Sequence, residues 1–269
     1  MGDQVIAGRY RLDERLGGGE TAEVWAASDL ELDRKVAVKL LAREADPQRF
    51  RREAHAVGAL AHPNIATLYD YGEDDQRSFM AFEFLPGGSL EDRLAGGPLS
   101  DEQADRAARD IAAGLAFAHA HGVLHRDLKP ANVLFDASAN AKLADFGIAR
   151  VADESGLTSA GTVLGTASYL APERAAGENA TPASDVYSFG VVLFRMLTGR
   201  LPFESRNAIE LAAMHRDRTP PAVADFRDDP PARLESLAFA TLAKSPSDRP
   251  ADGAALVAEL GPAPRLPRG

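Results

Sequence analysis

The sequence predicts an α+β fold in which a small, strand-rich first part precedes a larger, mainly helical part. Apolar and polar residues alternate in short segments between residues 10 and 83, as they do when successive side chains point to opposite faces of a sheet. Beyond residue 100, apolar residues recur at helical spacing behind helix-capping residues. With 269 residues, the chain is long enough to bury a large core.

Five strands and one helix are expected in the first part. Asp46 followed by Pro47 predicts a helix start, because an acidic side chain can accept hydrogen bonds from first-turn N–H groups and proline has no N–H to leave unpaired. That helix should end before His62-Pro63. The strands are expected near residues 10–16, 22–28, 35–41, 66–72 and 77–83.

The second part should begin after a break in the chain. Proline and paired glycines in residues 84–88 end the last strand and predict a hinge. Ser100 and Gln103 have the spacing of a capping box, which opens a long helix ending at Gly122. A buried, largely apolar helix is expected at 185–199, with shorter helices near 206–215, 232–243 and 250–260 and a loose tail at 262–269.

Two segments near the middle of the chain carry residues that phosphoryl transfer from ATP requires. Residues 125–132 (HRDLKPAN) are followed, after a short strand-like run, by Asp145-Phe146-Gly147. Asp127 can orient an attacking hydroxyl, and Asn132 and Asp145 can hold magnesium on the phosphates. Either segment alone could arise by chance, but both in this order very rarely do.

Two upstream motifs suggest a nucleotide-binding surface. Gly17, Gly18 and Gly19 lie between two predicted strands, where backbone N–H groups can approach phosphate oxygens with no Cβ in the way. On the third predicted strand, Ala37 and Lys39 point to one face, which suits a flat base lying beside its phosphates. Taken singly, these motifs are equally compatible with an ordinary hairpin turn and a solvated lysine on an edge strand.

With these motifs, the chain resembles the eukaryotic-type protein kinases and is most similar to their bacterial serine/threonine branch. The likeness runs from about residue 10 to about residue 260. One departure is Ala22, which stands where the family has the third glycine of its loop, although the bacterial branch often has alanine there. The other matching motifs are Glu53, His62-Pro63-Asn64-Ile65, Gly165-Thr166, Ala171-Pro172-Glu173, residues 185–190 (DVYSFG) and Arg249.

The resemblance implies a two-lobed fold that binds ATP together with Mg²⁺, for which Mn²⁺ could substitute. The N-lobe would comprise residues 1–83, the hinge 84–88 and the C-lobe 89–261. Asn132 and Asp145 would hold the metal. The implied nucleotide-binding residues are Leu16, Gly17, Gly18, Gly19, Ala22, Val24, Ala37, Lys39, Phe82, Glu83, Leu85, Leu134 and Asp145.

The resemblance also implies catalytic roles. Lys39 would contact the α- and β-phosphates and be held by Glu53. Asp127 would orient the acceptor hydroxyl, and Lys129 would neutralise the γ-phosphate. Thr166 would contact Asp127 and Lys129. Lys129 is the main indication that proteins are phosphorylated on serine or threonine, since tyrosine kinases place other residues there. The implied catalytic set is Lys39, Glu53, Asp127, Lys129, Asn132 and Thr166.

Two structural contacts are implied in the same way. Glu173 and Arg249 would form a buried ion pair that braces the C-lobe. An apolar column linking the lobes would contain Val57, Leu68, His125 and Phe146.

Regulation by phosphorylation is indicated by Arg126, which directly precedes Asp127. In kinases with this pair, the activation segment is usually ordered by its own phosphorylation, and a phosphate would pair with the arginine. Within residues 151–166, we expect phosphate on Thr158 and Thr162. The chain would then act on itself in trans, and a transient or N-lobe-mediated homodimer is expected by analogy alone.

Composition excludes several other classes of protein. The net charge of −10 argues against a nucleic-acid-binding face, which needs basic residues. The absence of cysteine excludes disulfides and cysteine metal sites. No run approaches the ~20 apolar residues of a membrane helix, and the start lacks the features of a signal peptide. A cytoplasmic protein, or the cytoplasmic domain of a longer membrane-anchored kinase, is therefore expected.

Two alternatives to an active serine/threonine kinase remain open. A non-catalytic, nucleotide-binding scaffold with a kinase fold would normally carry a substitution at Lys39, Asp127 or Asp145, and none is present. A small-molecule phosphotransferase of the aminoglycoside or choline type would lack Lys129 and the Ala171-Pro172-Glu173 element. The active protein kinase is the preferred hypothesis.

Overall fold

The computed structural model describes residues 4–19, 22–42, 46–74, 77–146 and 167–262. Within these ranges the chain folds into a strand-rich N-lobe and a mainly helical C-lobe, which confirms the predicted fold class. None of the helices in the described ranges is long and apolar enough to span a membrane.

The N-lobe is an antiparallel sheet with one helix against it. Its elements are β1 (Val5–Ile6), β2 (Tyr10–Gly18), β3 (Ala22–Asp29), β4 (Arg34–Leu41), α1 (Pro47–Gly58), β5 (Leu68–Asp74) and β6 (Arg77–Glu83). The strands lie in the order β1-β2-β3-β4-β6-β5. The five predicted strands and the predicted helix are confirmed, although β5 lies two residues further along the chain than expected. The prediction omits β1, which is too short for alternation to reveal it.

Alternating burial along β4 gives the sheet two different faces. Val36, Val38 and Leu40 are buried in an apolar cluster with side chains from the neighbouring strands. Ala37 and Lys39 lie on the opposite face and are only half-buried. This arrangement leaves the Ala37–Lys39 face available for a ligand, as the sequence predicts.

Helix α1 is fixed at its start and along one side. The Asp46 carboxylate accepts a hydrogen bond from the N–H two residues ahead, and Pro47 occupies the first turn, as predicted. Phe50 and Ala54 are buried against Met80 of the sheet. The packing turns the side of α1 that carries the predicted catalytic glutamate towards β4.

The C-lobe combines helices with one short hairpin. Its described helices are α2 (Leu90–Leu94), α3 (Asp101–Ala120), α4 (Pro172–Ala175), α5 (Pro182–Thr198), α6 (Ala208–Asp217), α7 (Ala232–Thr241) and α8 (Gly253–Leu260), and its hairpin consists of β7 (Val133–Phe135) and β8 (Ala141–Leu143). The predicted capping box of Ser100 and Gln103 opens α3. Helices α6, α7 and α8 lie within three residues of their predicted bounds.

The central helix α5 begins earlier than predicted. The sequence analysis places its start at Asp185, whereas the helix starts at Pro182. Thr181 and Ser184 cap its N-terminus, and proline takes the first helical position, where its missing N–H has no partner to lose. The Thr181-Pro182 pair is the sequence signal for this start.

Helix α5 forms the centre of the C-lobe. Val186, Phe189, Val192, Leu193 and Met196 are each 0% exposed, and from Ala183 to Thr198 only Ser188 and Arg195 are half-buried rather than buried. Burying each such side chain contributes about 1.5–3 kcal/mol before the cost of ordering the chain. The other C-lobe elements are therefore positioned by their packing against α5.

The predicted Glu173–Arg249 ion pair is confirmed. Nη1 and Nη2 of Arg249 lie 2.9 Å from Oε1 and Oε2 of Glu173, and the hydroxyl of Ser184 donates a further hydrogen bond to Oε1 at 2.8 Å. Both members of the pair are buried. Arg249 also donates to the Ala183 carbonyl at 2.9 Å, so the pair and Ser184 together fix α4 to the start of α5.

The close approach of α3 and α8 requires glycine at position 253. A Cβ there would overlap the backbone of Leu115 and Ala116. We expect Gly253→Ala to lower the free energy of unfolding by about 1–3 kcal/mol, the usual cost of overpacking, as measured by urea denaturation. Gly58→Ala is the matched control, because its Cβ would meet only the Leu68 side chain at 3.6 Å. Equal losses in the two variants would contradict the prediction.

His215 of α6 makes stability depend on pH. The ring is fully buried, and its Nδ1 lies 2.8 Å from the Tyr187 hydroxyl oxygen. Burial, assisted by the charge of Lys244, lowers the pKa of His215 from 6.5 to about 4. Between these two values the unfolded chain binds a proton that the folded chain does not, so stability falls as the pH falls.

We expect this histidine to lower the free energy of unfolding by about 3 kcal/mol as the pH falls from 6.5 to 4. Burial also lowers the pKa of His125, which therefore acts in the same direction. Urea denaturation at pH 7 and pH 4.5 should show a weaker pH dependence for His215→Gln than for the parent. The exposed His55→Gln serves as the control. An undiminished pH dependence in His215→Gln would show that another group is responsible.

Candidate active site

Lys39 is the charged centre of the cleft between the lobes. Its Nζ lies 2.7 Å from Oε1 of Glu53 in α1 and 3.0 Å from Oδ1 of Asp145. Glu53 is buried, with 4% of its surface exposed. The Lys39–Glu53 contact that the resemblance implies is therefore present, with α1 turned inward.

The carboxylates of Glu53 and Asp145 keep Lys39 charged. Burial opposes a charge on Lys39, but the charges of Asp145 and Glu53 outweigh that effect and raise the Lys39 pKa. Lys39 in turn holds the pKa of Asp145 below its usual value. Lys39 and Asp145 are therefore both ionised at neutral pH. The Asp145 backbone has a φ of 52°, uncommon for a residue other than glycine, and its side chain is 46% exposed.

The loop before β7 brings together three of the predicted catalytic residues. Lys129 Nζ lies 2.9 Å from Oδ2 of Asp127. Asn132 Nδ2 donates to the Asp127 carbonyl oxygen at 2.8 Å and to Oδ2 at 3.2 Å. Because these bonds use the amide nitrogen of Asn132, its Oδ1 is left as the available ligand atom. The loop thus offers a carboxylate for a hydroxyl, an ammonium beside it and an amide oxygen for a cation.

Asp185, in the first turn of α5, fixes the backbone of this loop. Its carboxylate accepts hydrogen bonds from the backbone N–H groups of His125 and Arg126 at 2.7 and 2.8 Å. His119 Nε2 lies 3.0 Å from the same carboxylate, while His119 Nδ1 accepts the Gly253 N–H at 3.1 Å. This role of Asp185 is not predicted from the sequence. A carboxylate within a run of apolar helix residues was the available signal, because such a group must find buried partners.

The predicted stacking of His125 and Phe146 is confirmed, with ring centroids 4.7 Å apart. Val57 and Phe146 belong to the same buried cluster, and Leu68 packs against it. Burial lowers the pKa of His125, so the ring is neutral. The column connects α1 and β5 of the N-lobe with the catalytic loop.

The predicted adenine contacts form an apolar surface outside the core. Leu16 is 49% exposed, and Val24, Ala37 and Leu134 are half-buried. Both neighbours of Leu134 on β7 are buried, so alternation places Leu134 on the opposite side. Phe82 lies directly across from Ala37 in the β4–β6 pairing. The exposure of these side chains favours ligand contact over the alternative that they are core residues.

The glycines of the β2–β3 hairpin have different structural requirements. A Cβ at Gly17 or Gly19 would meet no atom within 4 Å, so packing within the described chain does not require glycine there. At Gly18 a Cβ would lie 3.2 Å from the Ala22 carbonyl oxygen, which is tight. The same carbonyl accepts the Gly19 N–H at 2.9 Å. Close approach of a ligand to the backbone would account for Gly17 and Gly19.

The hinge is held by the side chain of Glu83. Its Oε1 accepts the Thr67 N–H at 2.7 Å, and its two oxygens lie 2.8 and 2.9 Å from Lys142 Nζ. Both charged side chains are mostly buried. The N–H of Leu85 has no hydrogen-bond partner within the described ranges. Leu85 is one of the residues that the resemblance implies for nucleotide binding, and its N–H could bond to a base.

Asn132 and Asp145 fit a magnesium ion that is shared with a nucleotide. Asn132 offers Oδ1, and Asp145 offers the oxygen that does not contact Lys39. Across the described ranges, no group of three or more His, Asp or Glu side chains could hold a metal by itself. Magnesium commonly takes one or two carboxylates and completes its shell with phosphate oxygens. This donor set therefore suits a metal that arrives with ATP.

Some predicted residues lie outside the described residues, and their roles remain predictions. They are Gly147, Thr158, Thr162, Gly165 and Thr166.

The chain is similar to protein kinases along nearly its whole length. A family model described as the protein kinase domain matches residues 10–259. The serine/threonine-protein kinase PrkC of Bacillus subtilis is 38% identical over 91% of this chain. The probable serine/threonine-protein kinase PknB of Lactococcus lactis is 35% identical over 98% of this chain. The serine/threonine-protein kinase PknL of Mycobacterium tuberculosis is 37% identical over 95% of this chain. The chain spans 39%, 43% and 66% of the length of these relatives.

Lys142 is expected to support nucleotide binding through Glu83. Lys142→Met would leave the Glu83 carboxylate with only the Thr67 N–H, and the loosened hinge should weaken binding of an ATP analogue about tenfold, or about 1.4 kcal/mol. Isothermal titration calorimetry measures the affinity. Lys35→Met, which alters an exposed lysine paired with Asp13, is the control. Unchanged affinity in Lys142→Met would mean that the hinge keeps its geometry without this ion pair.

Proposed function

Since the chain belongs to the protein kinase family, in its bacterial serine/threonine branch, we propose that it transfers the γ-phosphoryl group of ATP to serine and threonine hydroxyls of proteins. The observation that carries the proposal is the catalytic loop, where the Asp127 carboxylate lies beside the Lys129 ammonium and the Asn132 amide. This is the arrangement that an incoming hydroxyl and a γ-phosphate require.

In the proposed reaction the chain supplies position and charge. Asp127 orients the acceptor hydroxyl, Lys129 neutralises the γ-phosphate, and Lys39 binds the α- and β-phosphates. Magnesium, when bound by Asn132 and Asp145, neutralises charge on the phosphates, and Mn²⁺ could replace it. The transition state of phosphoryl transfer is loose, so alignment and charge neutralisation matter more than strong proton abstraction.

Autophosphorylation of the activation segment is part of the same proposal. The Nε of Arg126 is buried and has no hydrogen-bond partner among the described residues. Such a guanidinium N–H is suited to a phosphate, which forms short, charge-assisted hydrogen bonds. We assign the phosphate to Thr158 or Thr162, within residues 151–166.

The proposed substrates are proteins, including a second copy of this chain phosphorylated in trans. A transient or N-lobe-mediated homodimer is part of this proposal by analogy alone. We propose that the domain works in the cytoplasm, where ATP is available, alone or as part of a longer, membrane-anchored kinase.

Incubation of the purified chain with labelled ATP and Mg²⁺ tests the proposal. We expect incorporation on Thr158 or Thr162 in the parent and a loss of at least about 100-fold in Lys39→Met and Asp127→Asn, because each removes a charge that acts on the reacting groups. Mass spectrometry identifies the sites, and a general acceptor protein tests transfer to other chains.

Lys35→Met is the matched control for Lys39→Met, since Lys35 lies on the same strand but is exposed. It should keep the parent's activity. A parent that binds ATP but labels neither itself nor the acceptor would favour the scaffold alternative. Transfer to aminoglycosides or choline, without transfer to protein, would favour the small-molecule phosphotransferase.

A further inference from the structure

Arg195 joins three distant parts of the C-lobe. From the last turn of α5, its Nη1 and Nη2 donate hydrogen bonds to the two carboxylate oxygens of Glu91, at 2.8 and 2.6 Å. Nη1 also donates to the Tyr169 hydroxyl oxygen at 2.6 Å. Glu91 lies in the first turn of α2, and Tyr169 lies just before α4. We call these three residues the Arg195 cluster.

The Glu91 end of the cluster is attached to the nucleotide side of the cleft. Helix α2 starts directly after the hinge, and its N-cap Ser89 forms a bridge with Leu134. The Gly88 carbonyl accepts the Phe135 N–H at 2.9 Å. The helix that carries Glu91 is therefore held against the strand that carries the predicted adenine contact.

The Tyr169 end lies on the side where an acceptor must arrive. Tyr169 lines a small depression together with Asp127 and Leu128. Its carbonyl accepts the Ser188 hydroxyl at 2.8 Å, and the residue is only 7% exposed. Tyr169 is thus a largely buried residue that helps to define the depression next to Asp127, the residue that is proposed to orient the acceptor hydroxyl.

The hydrogen bonds within the Arg195 cluster are stronger than those between neutral groups. An arginine that donates two parallel hydrogen bonds to one carboxylate makes a short, directional, charge-assisted pair. The Arg195 side chain is 19% exposed, so water screens the pair only partly. Burial raises the pKa of Tyr169 to about 12, so its hydroxyl stays protonated at neutral pH and accepts from the cationic Arg195 through its oxygen.

If Arg195 served only to stabilise the fold, its ion pair with Glu91 would be sufficient. The second contact of Arg195 orients a tyrosine that lines the same depression as Asp127, and the ion pair with Glu91 fixes the guanidinium that makes this contact. Because an arginine fork is planar, holding one end of it defines the direction of the other.

We propose that Arg195 is a positioning residue for the protein acceptor: held by Glu91, its guanidinium fixes Tyr169 and so shapes the acceptor-binding surface next to Asp127. The inference rests on the proposed kinase function. It gives Arg195 no contact with ATP or with the reacting atoms. Its loss should therefore affect the acceptor and leave the nucleotide largely unaffected.

Steady-state kinetics with a general acceptor protein and varied ATP test this inference. We expect Arg195→Met, which removes the guanidinium, to raise KM for the acceptor about tenfold while kcat and KM for ATP stay within about twofold. Tyr169→Phe removes only the hydroxyl and should raise the acceptor KM about threefold. Arg195→Lys keeps the charge but not the fork, so its acceptor KM should lie between those of the parent and Arg195→Met.

Arg200→Met replaces an exposed arginine close by in the chain and should leave the acceptor KM unchanged. Thermal unfolding shows whether each variant folds. If Arg195→Met does not fold, Tyr169→Phe and Glu91→Gln decide, since both preserve side-chain size. An unchanged acceptor KM in the folded variants, or equal increases in the KM for ATP and acceptor, overturns the inference. An inactive parent overturns the proposed function as well, whereas an active parent with unaffected variants overturns the inference alone.

Discussion

The buried carboxylate of Asp185 is the interaction on which the catalytic loop depends. It is 2% exposed and accepts the backbone N–H groups of His125 and Arg126, with His119 as a further partner. Arg126 has a φ of 66°, which persists in a residue other than glycine only where the surrounding contacts impose it. Asp185 imposes it from the first turns of α5. Because an unpartnered buried carboxylate is costly, the packing that buries Asp185 also fixes the backbone next to Asp127.

The N-lobe contributes its half of the site through the orientation of α1. Phe50 and Ala54 pack α1 onto the sheet, and this packing brings Glu53 to within 2.7 Å of Lys39. Asp145, from the C-lobe, contacts the same lysine, so one ammonium group joins both lobes. A rotation of α1 away from the sheet would both break the contact between Lys39 and Glu53 and expose the apolar side chains of Phe50 and Ala54. The charge of the site and the packing of the N-lobe are thus coupled.

Local signals predict most of the fold, whereas contacts between distant segments are predicted only where the family resemblance implies them, as for Glu173 and Arg249. Alternation along β4 and the Asp46 and Ser100 caps depend on neighbouring residues alone, so the sequence displays them directly. Asp185 bonds to residues about 60 positions away, and Arg195 to Glu91 104 positions away. No spacing within a segment encodes such a contact, because it depends on how the helices pack. The catalytic residues were identified by resemblance, and their positions relative to one another came only from the structure.

The pairing of charges at the site explains how an acidic protein can bind a polyanion. Lys39 is held between Glu53 and Asp145, and Lys129 lies against Asp127, so each ammonium group is placed by carboxylates before any phosphate arrives. Asp145 would hold magnesium through the oxygen that does not contact Lys39, so the lysine would keep its position while it binds the phosphates. A site that is already charged and oriented needs little reorganisation during reaction, and such preorganisation is the main way in which a protein stabilises developing charge.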